Sequence, residues 1–348
     1  MDIDVFPPHE LPTVMRVLRT ALEPTDPLWT RERAFLDTYA HIVGFELPVE
    51  APEPIRAADV HIEGPRSRKR LVQIAALAVL LNRPVKRAAF EFLQALAKQL
   101  GVHDGVIAVI DALLARRHLR VRLLVMRRGM RVMLKEALAA EGPKGIARLL
   151  VAMLFKAAVN KEKVWQYKRL GLLPEGTLGR EYWKHMTAVG FGFPGEPAGI
   201  AASVAYHDVG HVLADHAASP SGEIQQGSFQ GGNRREDGFV FVLFVVLHFH
   251  HGVRITPGAP AEAGHFDPEA VLWAIHRGAK CSVDMTHQWD FWPLMTMSIA
   301  EARAACGLLP KRRPSDCVSR SRLVDDAAFQ SSAAVPWLPM AAFGKNVL

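Results

Sequence analysis

Residues 66–82, RSRKRLVQIAALAVLLN, and residues 84–100, PVKRAAFEFLQALAKQL, decide the class of fold. In the first, Leu71, Ile74, Ala78 and Leu81 recur every three or four positions; in the second, Phe90, Leu93, Leu96 and Leu100 do the same. Successive helical residues turn by about 100°, so this spacing gathers the apolar side chains on one face. Pro84 suits a first helical turn, where its missing N–H is not needed. Working outward, residues 11–22, 27–43, 103–117, 119–140 and 144–158 carry the same period. Pro24, Pro27, Pro65, Gly101 and the Gly142-Pro143 pair separate them, and Thr30 to Arg33 sits where a helix start belongs. Strand-like alternation is scarce, and no repeat with a period of roughly 20 to 50 residues recurs, which argues against a solenoid. The expectation is an all-α, multi-helix bundle in two helical domains, 1–142 and 143–348, divided at Glu141-Gly142-Pro143-Lys144-Gly145.

With 348 residues, 49% of them hydrophobic, the chain has ample material for a core. Its three cysteines, Cys281, Cys306 and Cys317, form no C-x-x-C pair, so neither a disulfide framework nor a thiolate zinc site is expected and a reducing cytoplasm is the natural compartment. Met1 to Pro8 holds two aspartates and no basic-then-apolar run, unlike a signal peptide. Apolar runs such as Leu71 to Leu81 and Phe239 to Leu247 fall short of the roughly 20 residues that a membrane-spanning helix needs.

Charge is unevenly spread. Residues 1–170 hold 28 Lys and Arg against 18 Asp and Glu, and residues 171–348 hold 14 against 17. The basic surplus peaks between Arg116 and Lys135, where Arg120, Arg122, Arg127, Arg128 and Arg131 alternate with Leu119, Leu123, Met126 and Met130 and no acid intervenes. Such a helix either presents a solvated face or meets an anionic membrane peripherally. Nucleic acid is not an expected partner, since no zinc-finger spacing, aromatic RNA-binding pattern or helix-turn-helix context accompanies the charge.

The chemistry concentrates in His207-Asp208-Val209-Gly210-His211, with Glu223 twelve residues after the second histidine. On a helix, positions i, i+1 and i+4 fall within a roughly 100° arc, so His207, Asp208 and His211 would project together. Ala217 to Gly222 reads as a helix end and turn that doubles the chain back, letting Glu223 close a four-ligand set of two imidazoles and two carboxylates. A polar, partly exposed helix face is the competing reading.

Two resemblances follow. The N-terminal helices, through Arg31-Glu32-Arg33-Ala34-Phe35-Leu36, resemble the tellurite-resistance TerB-like helical domains, which implies a regulatory or interaction module. More distinctive are Leu173-Pro174-Glu175-Gly176-Thr177-Leu178-Gly179-Arg180-Glu181-Tyr182 and the H-D-x-x-H-x11-E spacing, joined by Ala270 to Gly278 and Trp289-Asp290. Over residues 160–310 these resemble the ubiquinone (coenzyme Q) biosynthesis protein family Coq-four. The resemblance implies a helical fold and a divalent metal, generally zinc, held by His207, Asp208, His211 and Glu223; iron and manganese suit the same nitrogen and oxygen donors. It also implies removal or replacement of the ring carboxyl of a prenylated quinone precursor, or a scaffold for other biosynthetic enzymes.

Residues 1–140 have no counterpart in that family, and Asp290-Phe291-Trp292-Pro293-Leu294 departs from its more polar continuation, so a related secondary metabolite is also an expected substrate. Arg180 is a candidate clamp for a substrate carboxylate, or a structural ion pair. Phe239 to Leu247 lines a tunnel for a prenyl or acyl tail, or forms a core helix. His248 and His251 approach the metal, or sit at a helix C-terminus. Tyr206, Trp273, Trp289 and Trp292 read as packing aromatics, and His216, about 140° from His211, falls outside the ligand set. Two alternatives stand beside a metal-dependent lyase or oxidative decarboxylase: a non-catalytic lipid- or isoprenoid-binding scaffold, and an HD-type phosphohydrolase built on His185 and His207-Asp208. The expected partners are a hydrophobic small molecule with a prenyl or acyl tail, a membrane surface and a second copy of the chain.

Overall fold

A computed structural model of the chain describes residues 1–23, 28–144, 160–197, 199, 204–256, 259–287 and 289–311. Among these, thirteen α-helices and no strand are present, so the molecule is an all-α multi-helix bundle. Helix α1 (Leu11–Leu22) buries Leu11, Val14, Met15, Leu18 and Leu22, the i, i+3, i+4, i+7, i+11 series of one face. It packs against α3 (Pro65–Leu81), whose length from Leu71 to Leu81 is wholly buried, and against α2 (Thr30–Ile42) and α4 (Arg87–Gln99). Pro65 opens α3, but α4 begins at Arg87 and not at Pro84. Lys86 is held extended before the helix, its ammonium paired with the buried carboxylate of Glu23, so the expected first turn at Pro84 does not form. Helix α5 (Val106–Leu114) is shorter than its apolar period, and α6 (His118–Glu141) ends at Gly142, whose φ is +62°. Residues 145–158 of the helix expected over 144–158 lie outside the description.

The second half is organised around a helix that its composition hides. Helix α10 (Pro220–Asn233), PSGEIQQGSFQGGN, is buried almost throughout, between α11 (Phe239–Phe249) and α12 (Pro268–Lys280). Its glycines let backbones touch. A Cβ on Gly232 would stand 2.0 Å from the Ile275 carbonyl oxygen, and one on Gly278 of α12 2.0 Å from that of Phe229. Asn233, fully buried, accepts from the Met285 N–H at 2.7 Å and donates to the Val283 carbonyl at 2.7 Å, so this amide of α10 is satisfied inside the protein.

Helices α10 and α12 serve two hydrophobic cores. Ile224, Val271, Leu272 and Ile275 join the first, built from α1 to α6 and α11. Phe229 and Ala274 join the second, with Tyr182 and Met186 of α8 (Leu178–Ala188) and Val209 and Leu213 of α9 (Ala205–Ala214). Tyr167 of α7 (Lys161–Lys168) and Ala302 of α13 (Ile299–Ala305) complete it. These cores do not divide at residue 142: the first takes side chains from both sides of it. Polar ties cross the same line. Arg128 of α6 bridges Asp104 and Asp237 at 2.6 Å each. His250 and His251 donate through Nε2 to the carbonyls of Leu81 and Leu80 at 3.0 and 2.9 Å, capping the C-terminus of α3. No helix among the described residues is long and apolar enough to cross a membrane.

Candidate metal centre

Helix α9 ends at Asp215, which takes the left-handed conformation at φ +58° and turns the chain back; Ser219 then caps α10 by accepting from the Gly222 N–H, with Pro220 in the first turn. This reversal sets Glu223 against α9. His207 Nε2 and His211 Nε2 lie 3.2 Å apart, and the Glu223 oxygens lie 3.3 and 3.4 Å from them. The three donor atoms fall within 4.8 Å of one another, and this is the one such cluster among the described residues. Gly210, between the histidines, leaves room for Gln226 to cross: a Cβ there would be 2.2 Å from Gln226 Nε2.

The neighbours decide which nitrogen of each imidazole faces inward. His207 Nδ1 lies 3.0 Å from Gln230 Oε1, and His211 Nδ1 lies 3.1 Å from the backbone carbonyl of His216. Both partners accept, so each Nδ1 carries the proton and each Nε2 turns a lone pair to the centre. Gln226 is fixed in turn, donating to the His207 carbonyl at 3.2 Å and accepting from His216 Nδ1 at 2.9 Å. Two lone pairs and a carboxylate thus converge in a buried place, and Glu223 Oε2 finds no well-aligned hydrogen bond. Such a set repels itself unless a cation sits among its members, which fits a divalent ion held by N and O donors.

Electrostatics agree. Burial opposes ionisation of Glu223, yet His211 and His207 outweigh it and hold the carboxyl well below the usual range. Burial likewise opposes a charge on His207, but the adjoining Glu223 carboxylate outweighs it and raises its pKa to about 9. The cluster therefore has a high affinity for a proton, the smallest cation it can take.

Asp208 does not join the three. It follows His207 by about 100° of helical turn while His211 returns to within about 40°, so the pair that meets Glu223 carries Asp208 aside. It is buried, and burial raises its pKa to about 6 against the pull of His207 and His211. The set of four thus becomes a set of three. Arg180 is likewise drawn elsewhere: its guanidinium binds Glu175 at 3.1 Å and the Gly171 carbonyl and lies over the Trp183 ring. Its contacts are those of a structural ion pair.

His248 donates to the Pro260 carbonyl at 3.1 Å and accepts from the Ile255 N–H, and His251 caps α3, so neither serves the centre. The run from Phe239 is a core helix, with Val242, Leu243, Val246 and Leu247 in the first core. Trp273 packs edge-on to His41, and Trp292 to Tyr167 at 4.9 Å. Cys281 and Cys306 are buried thiols whose pKa values burial pushes up to about 12 and 11; Cys317 lies outside the description. Gln226 and Gln230, which spacing alone passed over, and the His216 carbonyl orient the ligands, while His185, expected only in a phosphohydrolase set, stacks on His211 with ring centroids 5.5 Å apart. Burial, then His211, lowers the His185 pKa to about 4, so it is neutral there.

The chain matches no family model and no curated protein.

Proposed function

We propose that the protein is a divalent-metal enzyme of the Coq-four-like type, acting on a hydrophobic aromatic acid such as a quinone precursor or a related secondary metabolite. The observation that carries this reading is the inward convergence of His207 Nε2, His211 Nε2 and the Glu223 carboxylate, with both Nδ1 atoms tied from behind. Zinc is the first choice, and iron and manganese suit the same donors. When bound, such an ion supplies a Lewis acid for a ring carboxylate and stabilises the charge that develops as carbon dioxide leaves. The chain's own residues hold the ligands still: Gln230 and the His216 carbonyl fix both rings, and Gln226 locks α9 to α10.

A second reading has its own observation. His211 and Glu223 are only 2% and 5% exposed, and their cluster clamps two helices together, as a structural metal in a non-catalytic lipid- or isoprenoid-binding scaffold would. Protein purified without chelator is expected to hold close to one metal ion per chain. Fewer than about 0.3 equivalents, with no rise in melting temperature on adding zinc, manganese or iron, overturns the centre. The His211→Ala variant separates the two roles. A retained fold with lost release of carbon dioxide from prenylated hydroxybenzoic acids supports catalysis, unfolding supports the structural role, and unchanged turnover overturns catalysis at this site. Phosphate released from a panel of nucleotides would instead favour the phosphohydrolase.

A further inference from the structure

Helix α6 is held to the body by one face and leaves an unusual one outward. Val121 and Val125 are buried, and Arg128 is tied to Asp104 and Asp237. On the opposite side Leu119 and Leu123 are 69% and 60% exposed, with Met126 and Leu138 exposed beside them. Spaced by four, three and twelve residues, these four lie within an arc of about 120° directed away from the buried valines. Of ten large apolar side chains exposed among the described residues, four stand on this single helix, which marks a stripe and not random scatter.

Charge identifies what would cover the stripe. Arg120, Arg127 and Arg131 are exposed along one flank, Arg122 is half-buried on the other, and no Asp or Glu occurs from residue 112 to residue 135. We propose that α6 seats the protein on an anionic lipid surface, its leucines and methionine entering the acyl boundary and its arginines meeting phosphate headgroups. A nucleic acid would use the arginines but has no use for exposed leucines. A bilayer uses both, and an interfacial helix has this make-up. The surface lies apart from the metal centre, so its test does not depend on that reading.

The full chain is to be sedimented with vesicles of phosphatidylcholine alone and with vesicles containing about one third phosphatidylglycerol. Binding is expected to the anionic vesicles and to be at least about tenfold weaker with neutral ones. Reversing Arg120, Arg127 and Arg131 to Glu is expected to weaken anionic binding about a hundredfold. Leu119→Ser with Leu123→Ser is expected to weaken it about tenfold or more with the melting temperature unchanged, since both side chains are exposed. Should the triple reversal fail to fold, Arg→Gln at the same positions is expected to lower binding about tenfold. The proposal is overturned if the unaltered protein does not sediment with anionic vesicles or if the leucine variant binds as well as it does. It is also overturned if duplex DNA is bound through the arginines alone while the vesicles are not.

Discussion

Gln230 Oε1 lies 3.0 Å from His207 Nδ1, and this contact decides which nitrogen of His207 faces Glu223. Replacing Gln230 with Leu removes the acceptor and frees the ring to turn or change tautomer. Affinity for zinc is expected to fall about 10- to 100-fold, the usual effect of losing a partner behind a ligating histidine. Competition against a chromophoric chelator measures it, and unchanged affinity would sever Gln230 from the centre.

Protons and metal compete for the same atoms. His207 has its pKa raised to about 9, so a metal entering below that pH must displace a proton. Zinc affinity is expected to rise about tenfold per pH unit from pH 7 toward 9 and then level off. For the metal-free protein the sign reverses. The folded state binds this proton more tightly than the unfolded chain, so the stabilisation is complete below about 6.5 and disappears as pH rises to about 9. Denaturant titrations with and without zinc across this range should therefore diverge.

Acid acts through different histidines. Burial is the leading cause that lowers His185 and His251 to about 4 and His216 and His250 to about 3, each against an ordinary value of 6.5. The unfolded chain takes these protons near 6.5 and the native state refuses them, so unfolding consumes close to four protons at about pH 5. Stability is expected to fall steadily from about pH 6.5 downward, as denaturant midpoints at pH 7, 6 and 5 would record. A flat profile would mean that these rings are solvated.

Two glycines should respond oppositely to the same change. Gly232→Ala places a Cβ against the Ile275 carbonyl and is expected to cost about 1–3 kcal/mol or more, because backbone cannot yield as a side chain can. Gly129→Ala, in the middle of α6 with open space around it, is expected to stabilise by up to about 1 kcal/mol. Equilibrium unfolding measures both changes, and the Gly232 variant checks the packing of α10 against α12.

The first six helices were legible because each lays an apolar stripe onto a common core, and Leu11, Val14, Met15 and Leu18 spell that stripe in plain spacing. Helix α10 was not. Its period is polar and glycine-rich, since Gly232 serves backbone contact and Gln226, Gln230 and Asn233 find their partners inside. Within the centre, His207 and His211 followed from i, i+4, and Glu223 from the turn over Ala217 to Gly222 that doubles the chain back; that Ser219 and Pro220 also start a helix there is seen only in the structure. Counting Asp208 with them stretched a face too far, because one residue step already turns it aside. Glu223, Gln226 and Gln230 at i, i+3 and i+7 were an available signal for the orienting amides once α10 is taken as a helix. His185 stood out only as a histidine ahead of the His-Asp doublet, and its stacking on His211 comes from tertiary packing.

The sharing of α10 and α12 between two cores bears on how the chain can be taken apart. Cut near Gly142, the leading fragment would lose the apolar wall that α11 and α12 provide, and the trailing one would bare Ile224, Val271 and Leu272 to water. The two pieces would behave as halves of a split protein, each aggregating when expressed alone and recovering structure only when the other is present to reassociate with it.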